Sequence, residues 1–247
     1  MNAIEIKNLT KIFSAPAFKN QPKVTALKNV TLNIEQGTIF TLVGPNGAGK
    51  TTLIRILAGL TSLTKGEVKI NQLPLNKKTC RKIGLFTAEI KGYWDALTGY
   101  ENLIFFCALQ NLVGNQAKKR ISEIVDLFEM SLYILKPVYT YSSGMKHKLL
   151  LARSLVHNPD ILFLDEPINA LDPMAARNFH QLIRNRLNQE LGKTIFLSTH
   201  QLEEAQEISD TVGFLFQGEL IWQKKANLFR SKQSNLLNEY LETAGQV

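Results

Sequence analysis

The residues best equipped for chemistry stand together at Gly44-Pro45-Asn46-Gly47-Ala48-Gly49-Lys50-Thr51-Thr52. The pattern G-x-x-x-x-G-K-[ST] wraps backbone around an anion. Its glycines let the chain curl until several N–H groups converge, and a helix start behind them adds unbonded donors and a partial positive charge. Lys50 brings a point charge within reach of the outer phosphates of a nucleotide, and Thr51 offers a hydroxyl to Mg²⁺. Thr52 and the Gly49 amide are placed to hold the inner phosphates. The flanks agree with a phosphate site. Residues 38–43 are short, apolar and β-branched, as in a buried strand, and residues 53–58 read as a helix closed by Gly59.

A second set of chemical groups ends another apolar run, Leu162-Phe163-Leu164-Asp165-Glu166-Pro167. A carboxylate at a strand tip beside a phosphate loop can ligate Mg²⁺ or its waters, which suits Asp165. The next acid, Glu166, can then activate a water against the terminal phosphate. Tyr141-Ser142-Ser143-Gly144-Met145 precedes an apolar-periodic helix; either serine suits its N-cap, and the same small residues leave N–H groups open to an anion.

The elements that must position these groups alternate. Residues 4–9 and 30–34 show strand alternation, with residues 14–23, containing Pro16 and Pro22, as a long loop between them. Short strands are expected at 67–70 and 82–86. From about residue 89 helical spacing takes over, at 100–109, 117–128 and 146–156. Strands return at 161–164 and 194–198, separated by one long helix over 175–191. A short helix over 202–208 and a hairpin around Gln217-Gly218 follow, then a terminal helix with a polar tail from about residue 227.

Composition bounds the rest. The chain has 247 residues, 45% of them apolar and 20% charged, and no apolar run long enough to span a bilayer. Nothing at the start resembles a signal peptide, so a cytoplasmic protein is expected. Cys80 and Cys107 show no metal spacing and no disulfide framework. The net charge of +8 comes partly from clusters at 77–82, 118–120 and 224–225, which read as solvated faces or as attraction to an anionic surface, nucleic acid or lipid. No cluster carries the interleaved aromatics of a single-strand binder.

In their order and spacing these motifs resemble the nucleotide-binding subunit of ABC transporters, over nearly the whole chain. Residues 44–52 resemble the Walker A loop, and Asp165 with Glu166 the Walker B acid and the catalytic glutamate. Residues 141–145 resemble the signature usually written LSGGQ. They keep only its serine, Ser142, and its second glycine, Gly144, the two positions the resemblance sets against the γ-phosphate of an opposite subunit. Asn169-Ala170-Leu171-Asp172 resembles the D-loop, and Ser198-Thr199-His200 the switch histidine, which implies a γ-phosphate sensor at His200. Variant signatures of this kind are similar to the ABC-2-type exporter subfamily. The family glutamine of the Q-loop is absent. Glu89 stands there as a charged metal-side ligand, or Ala88 if the register is one residue earlier. Phe13 resembles the adenine-stacking aromatic, with core packing as its alternative and Phe18 as another stacker. Tyr93-Trp94 would face the membrane partner or pack the helical region.

The resemblance implies an α/β protein, a P-loop NTPase core of ABC ATPase type with an antiparallel β edge and an inserted α-helical lobe. In one domain, the core would occupy about 1–88 and 159–226, the lobe about 89–158 and a tail about 227–247. It implies ATP hydrolysis with Mg²⁺, a head-to-tail pair with an identical or closely related ATPase subunit, and a separate integral membrane permease at the cytoplasmic face of the membrane. The rival is a non-transport ATPase of the same type acting on ribosomes or DNA. A single phosphate loop and the lack of heptads weigh against it and against a nucleic-acid partner. Glu166 weighs against a regulator that binds ATP without turnover.

Overall fold

The computed structural model describes residues 1–14, 23–87, 92–169 and 171–229. Two strands open the chain, β1 (Asn2–Phe13) and β2 (Val24–Glu35), followed by β3 (Ile39–Val43), α1 (Lys50–Leu57), β4 (Lys65–Ile70) and β5 (Leu73–Pro74). Then come α2 (Lys77–Cys80), β6 (Ile83–Thr87), α3 (Gly99–Leu109), α4 (Gly114–Leu127), α5 (Ser143–Leu155) and β7 (Ile161–Asp165). The last third holds α6 (Pro173–Gln181), β8 (Thr194–Thr199), α7 (Leu202–Ile208), β9 (Thr211–Phe216) and β10 (Glu219–Lys225).

The strands sort by their sequence patterns. β1 and β2 alternate and are buried on one side, so they pair antiparallel, and with β4 and β5 they form a sheet in the order β2-β1-β4-β5. β3, β7 and β8 are fully buried, and β3 and β7 are apolar almost throughout while β8 carries an apolar centre, Ile195-Phe196-Leu197, as strands covered on both faces do. They lie inside a second sheet ordered β10-β9-β3-β8-β7-β6, parallel except for β10. Its register aligns Val43 with Thr199, Asp165 with Ser198, and Thr87 with Asp165. The three motif-bearing strands therefore end at one edge, where ligands of parallel sheets gather.

The α/β architecture, with its antiparallel edge and helical insertion, is the one expected. The lobe helices α3 and α4 share one apolar cluster with the sheet: Leu103 and Ile121 belong to the same buried group as Leu162, Leu164 and Ile195. α5 provides the continuity, packing on β6 as well as on α3 and α4. His147 contributes, its ring lying against Phe86 of β6 and Phe179 of α6.

Two local expectations need correction. The single helix over 175–191 begins at Pro173, is α-helical to Gln181, and continues as a π-helix from Leu182 to Glu190. The wider winding buries Leu187 and sets Asn188 where its amide donates to the carbonyls of Gly37, at 2.8 Å, and Lys193, at 2.9 Å. Ahead of β6, the short elements β5 and α2 are ones the sequence pattern does not announce. A tight turn spans Ala226–Phe229; the terminal helix expected beyond it, like the core of the 14–23 loop, lies outside the described residues.

Candidate functional site

The phosphate-type loop joins β3 to α1. Gly44 must be glycine because a Cβ there would collide with the Leu215 carbonyl oxygen; the loop is pressed against β9. Gly49 adopts φ +107°, and a Cβ on it would meet the Ala26 carbonyl at 2.7 Å. Helix α1 starts directly after Gly49 with no side-chain cap, so its first N–H groups remain available to an anion.

Lys50 is buried, its ammonium donating to the carbonyls of Gly44 (2.8 Å) and Pro45 (3.2 Å). Its third neighbour is the Glu166 carboxylate, at 3.4 Å. The other oxygen of Glu166 lies 2.8 Å from His200 Nδ1. Glu166 holds φ +49°, rare for a residue other than glycine, and its N–H donates to the Ser198 carbonyl at 3.1 Å. Strand β8 thus fixes the turn that aims Glu166 at Lys50.

Asp165 sits behind this pair, buried. It accepts from Thr51 Oγ1 at 3.2 Å and from Ser198 Oγ at 2.5 Å, both on Oδ1. The spacing of the Thr51 and Asp165 oxygens is close to one edge, about 3.0 Å, of an octahedron with ~2.1 Å bonds, so the two suit a magnesium-sized cation. Among the described residues no group of three or more His, Cys, Asp and Glu side chains could hold a metal. A cation here would complete its shell with water and phosphate oxygens, as Mg²⁺ does.

These groups open on a cleft of about 710 Å³, roomy enough for a nucleotide. Asn46, Gly47, Gly49, Lys50, Thr51, Thr52, Glu166 and His200 all line it. Gly44, Pro45 and Ala48 act from behind: the first two hold Lys50, and Ala48 accepts from the Gly218 N–H at 3.0 Å. Phe13 is not among the lining residues. It is half exposed, with Lys11 Nζ 4.7 Å from its ring centre, so neither the cleft nor the core holds it. Glu89, its alternative Ala88, Phe18 and Ala170 lie outside the described residues.

Ser142 and Gly144 do not line the cleft either. They start α5, where Ser142 Oγ accepts from Met145 N–H at 3.2 Å. Gly144 faces the start of α6, which Asp172 caps by accepting from Ala175 N–H at 2.9 Å. A Cβ on Gly144 would meet that of Ala175 at 3.8 Å, an ordinary contact, so the chain's own packing does not demand glycine there.

Sequence reasoning missed the far wall of the cleft, formed by Val24, Thr25, Ala26 and Lys28 of β2 with Gln217 and Gly218. The signal was there in Gln217-Gly218, which reads only as a turn. Both residues have positive φ, and Gly218 also donates to Ala48 and accepts from Lys28 N–H at 2.8 Å. It missed Ser198 as well, whose hydroxyl holds Asp165. Away from the cleft, Trp94 stacks edge-on against Phe105 with ring centres 4.4 Å apart, and both are half exposed. Tyr93 is partly buried against the core.

Comparison with known proteins follows the same lines. The family model described as ABC transporter matches residues 27–169. The bacitracin transport ATP-binding protein BcrA of Bacillus licheniformis is 35% identical over 221 residues, which cover 88% of this chain and 68% of that protein. The lantibiotic transport ATP-binding protein SrtF of Streptococcus pyogenes is 32% identical over 222 residues, 90% of each. Among solved structures, the dimeric post-hydrolysis state of the ATP-binding cassette MJ0796 bound to ADP and Pi superimposes with a TM-score of 0.77. It shares 28% identity and covers 90% of this chain and 98% of that one.

Proposed function

This chain belongs to the ABC transporter family of ATPases, and from that premise we propose that it hydrolyses Mg·ATP to drive an exporter through a separate membrane subunit. The observation that carries the reading is the convergence of Lys50, Thr51, Glu166 and His200 on one cleft, with Asp165 buried behind them and bonded to Thr51. Lys50 and the free amides at the start of α1 hold the triphosphate. Thr51 and Asp165 would hold Mg²⁺, which would supply charge neutralisation at the outer phosphates. Glu166 takes the proton of the attacking water, and His200, bonded to Glu166, orients it and senses the γ-phosphate.

A second ATPase subunit completes the site. Among the described residues no arginine lines the cleft, so further charge stabilisation is left to groups from outside. Ser142 and Gly144 stand apart from it, and the missing side chain of Gly144 makes room for something other than this chain. The partner's corresponding turn closes over each ATP. Relatives named for bacitracin and lantibiotic transport support export as the work done. The pathway is assigned to a separate permease chain; among the described residues no helix is long and apolar enough to cross a membrane. The aromatic face of Trp94 and Phe105 suits its docking.

The test is a titration of the purified chain with Mg·ATP, then turnover after reconstitution with its permease. Lys50→Ala should abolish tight binding, since the charge-assisted contact to the triphosphate goes. Unchanged affinity in that variant would remove the assignment, and activity stimulated by ribosomes or DNA and not by a membrane protein would remove the transport role.

A further inference from the structure

The cations at α2 form a cluster apart from the nucleotide cleft. Its geometry is fixed locally. Asn76 Oδ1 accepts from the N–H groups of Lys78 (2.8 Å) and Thr79 (3.2 Å), while Thr79 Oγ1 accepts from Asn76 N–H at 2.8 Å. Thr79 is buried, and that anchoring turns Lys77, Lys78, Arg81 and Lys82 outward, all exposed. None of the four forms an ion pair with any described residue, whereas Lys28 and Glu35 of the antiparallel edge each meet an opposite charge on β10.

Beside these cations lies apolar surface. A cleft of about 490 Å³ runs between the end of α1 and α2, lined by Ile56, Leu63, Leu75 and Cys80, with Lys77 at its rim. Gly59 closes against Cys80 so tightly that a Cβ would lie 2.5 Å from the sulfur, which brings the turn carrying Leu60 onto α2. Leu60 is 58% exposed, and Leu73 of β5, four residues before Lys77, is 51% exposed.

We propose that this cationic surface with its leucines and apolar cleft docks on an anionic lipid leaflet. Unpaired Lys and Arg attract any polyanion, so charge alone does not choose between lipid and nucleic acid. The leucines choose. Exposed aliphatic side chains beside the cations gain only where an apolar phase lies under the phosphates, and the cleft has no aromatic side chain on which a base could stack. The patch acts without a permease and without ATP, so its failure would leave the ATPase reading untouched.

The experiment is co-sedimentation of the purified full chain with vesicles of phosphatidylglycerol, of phosphatidylcholine, and with duplex DNA at matched salt. Binding is expected to phosphatidylglycerol alone, and to fall as salt rises. Lys77→Glu with Lys78→Glu and Arg81→Glu should weaken it by on the order of 10²-fold, at about fivefold or more per charge. Leu60→Ser with Leu73→Ser should weaken it with every charge intact, and Lys118→Glu with Lys119→Glu should leave it unchanged. Retained ATP binding shows that each variant is folded. Three results each overturn the proposal: no partition into phosphatidylglycerol vesicles, equal loss from the 118–119 reversal, or binding to DNA in place of vesicles that ignores the leucine changes.

Discussion

Replacing Glu166 with glutamine keeps the shape of the side chain and an oxygen for His200, but removes its charge and its capacity to take a proton. Two opposed effects follow. Loss of a general base slows hydrolysis by about 10²–10⁴-fold, or roughly 3–5 kcal/mol of barrier at ~1.4 kcal/mol per decade. Binding should move the other way. The Glu166 carboxylate lies 3.4 Å from Lys50 Nζ, so it competes with a triphosphate for that ammonium. The Glu166 side chain is 21% exposed and water screens part of the pair, so its net worth is about 1 kcal/mol. Freeing Lys50 by that amount tightens ATP by about fivefold. Single-turnover hydrolysis and equilibrium titration read the two effects separately, and gel filtration with ATP reads a third, since a closed pair that cannot hydrolyse accumulates as a dimer. Hydrolysis near the wild-type rate refutes the base role. Weaker ATP binding refutes the competition for Lys50.

Two further outcomes rest on buried polar contacts. Ser198→Ala removes the 2.5 Å bond to Asp165 while Thr51 keeps its own; a charge-assisted bond of about 1.5–3 kcal/mol should lower Tm by roughly 3–10 °C, and an unchanged melting curve counts against that bond. His180 on α6 faces Glu204 at 3.2 Å and Glu207 at 3.5 Å on α7. Burial lowers its pKa, but the hydrogen bonds and charges of the two glutamates outweigh that and leave it above the ordinary 6.5. The folded chain therefore holds this proton more tightly than the unfolded one, and the resulting stability is complete below about pH 6.5 and lost as pH rises through the folded value. The Tm gap between wild type and His180→Ala should be widest near pH 6 and narrow above it; a constant gap refutes the linkage.

What the sequence made legible was local. The run into Gly44, the strand ending at Asp165 and the cap at Ser142 each depend on a few consecutive residues, and the fold class followed from their alternation. What escaped depends on distance along the chain. Ala26 meets Gly218 across most of the sequence, so the wall they build leaves no periodic trace. Ser198 looked like the end of a buried strand because its bond to Asp165 is set by the register of β7 and β8. Helix α2 was too short to show a period, and the π-helical turns after Gln181 have the composition of ordinary helix. Phe13 looked equally suited to a nucleotide base or a core; alternation gives the side of a strand, not what lies over it.

The start of α5 has one more consequence. Ser142 oxygen receives the Met145 N–H through a lone pair, which leaves its own proton unspent. One atom can therefore serve as acceptor toward its helix and donor toward a phosphate arriving from outside. Among the side chains that cap helices well, this splits a class that stability alone treats as equivalent. Aspartate would cap as firmly but bring negative charge and no proton, and asparagine would turn a carbonyl to the helix and leave its amide on a longer arm. Only a hydroxyl does both in so little space. A library of cap residues at this position, sorted once for melting temperature and once for ATP turnover, would rank them in two different orders.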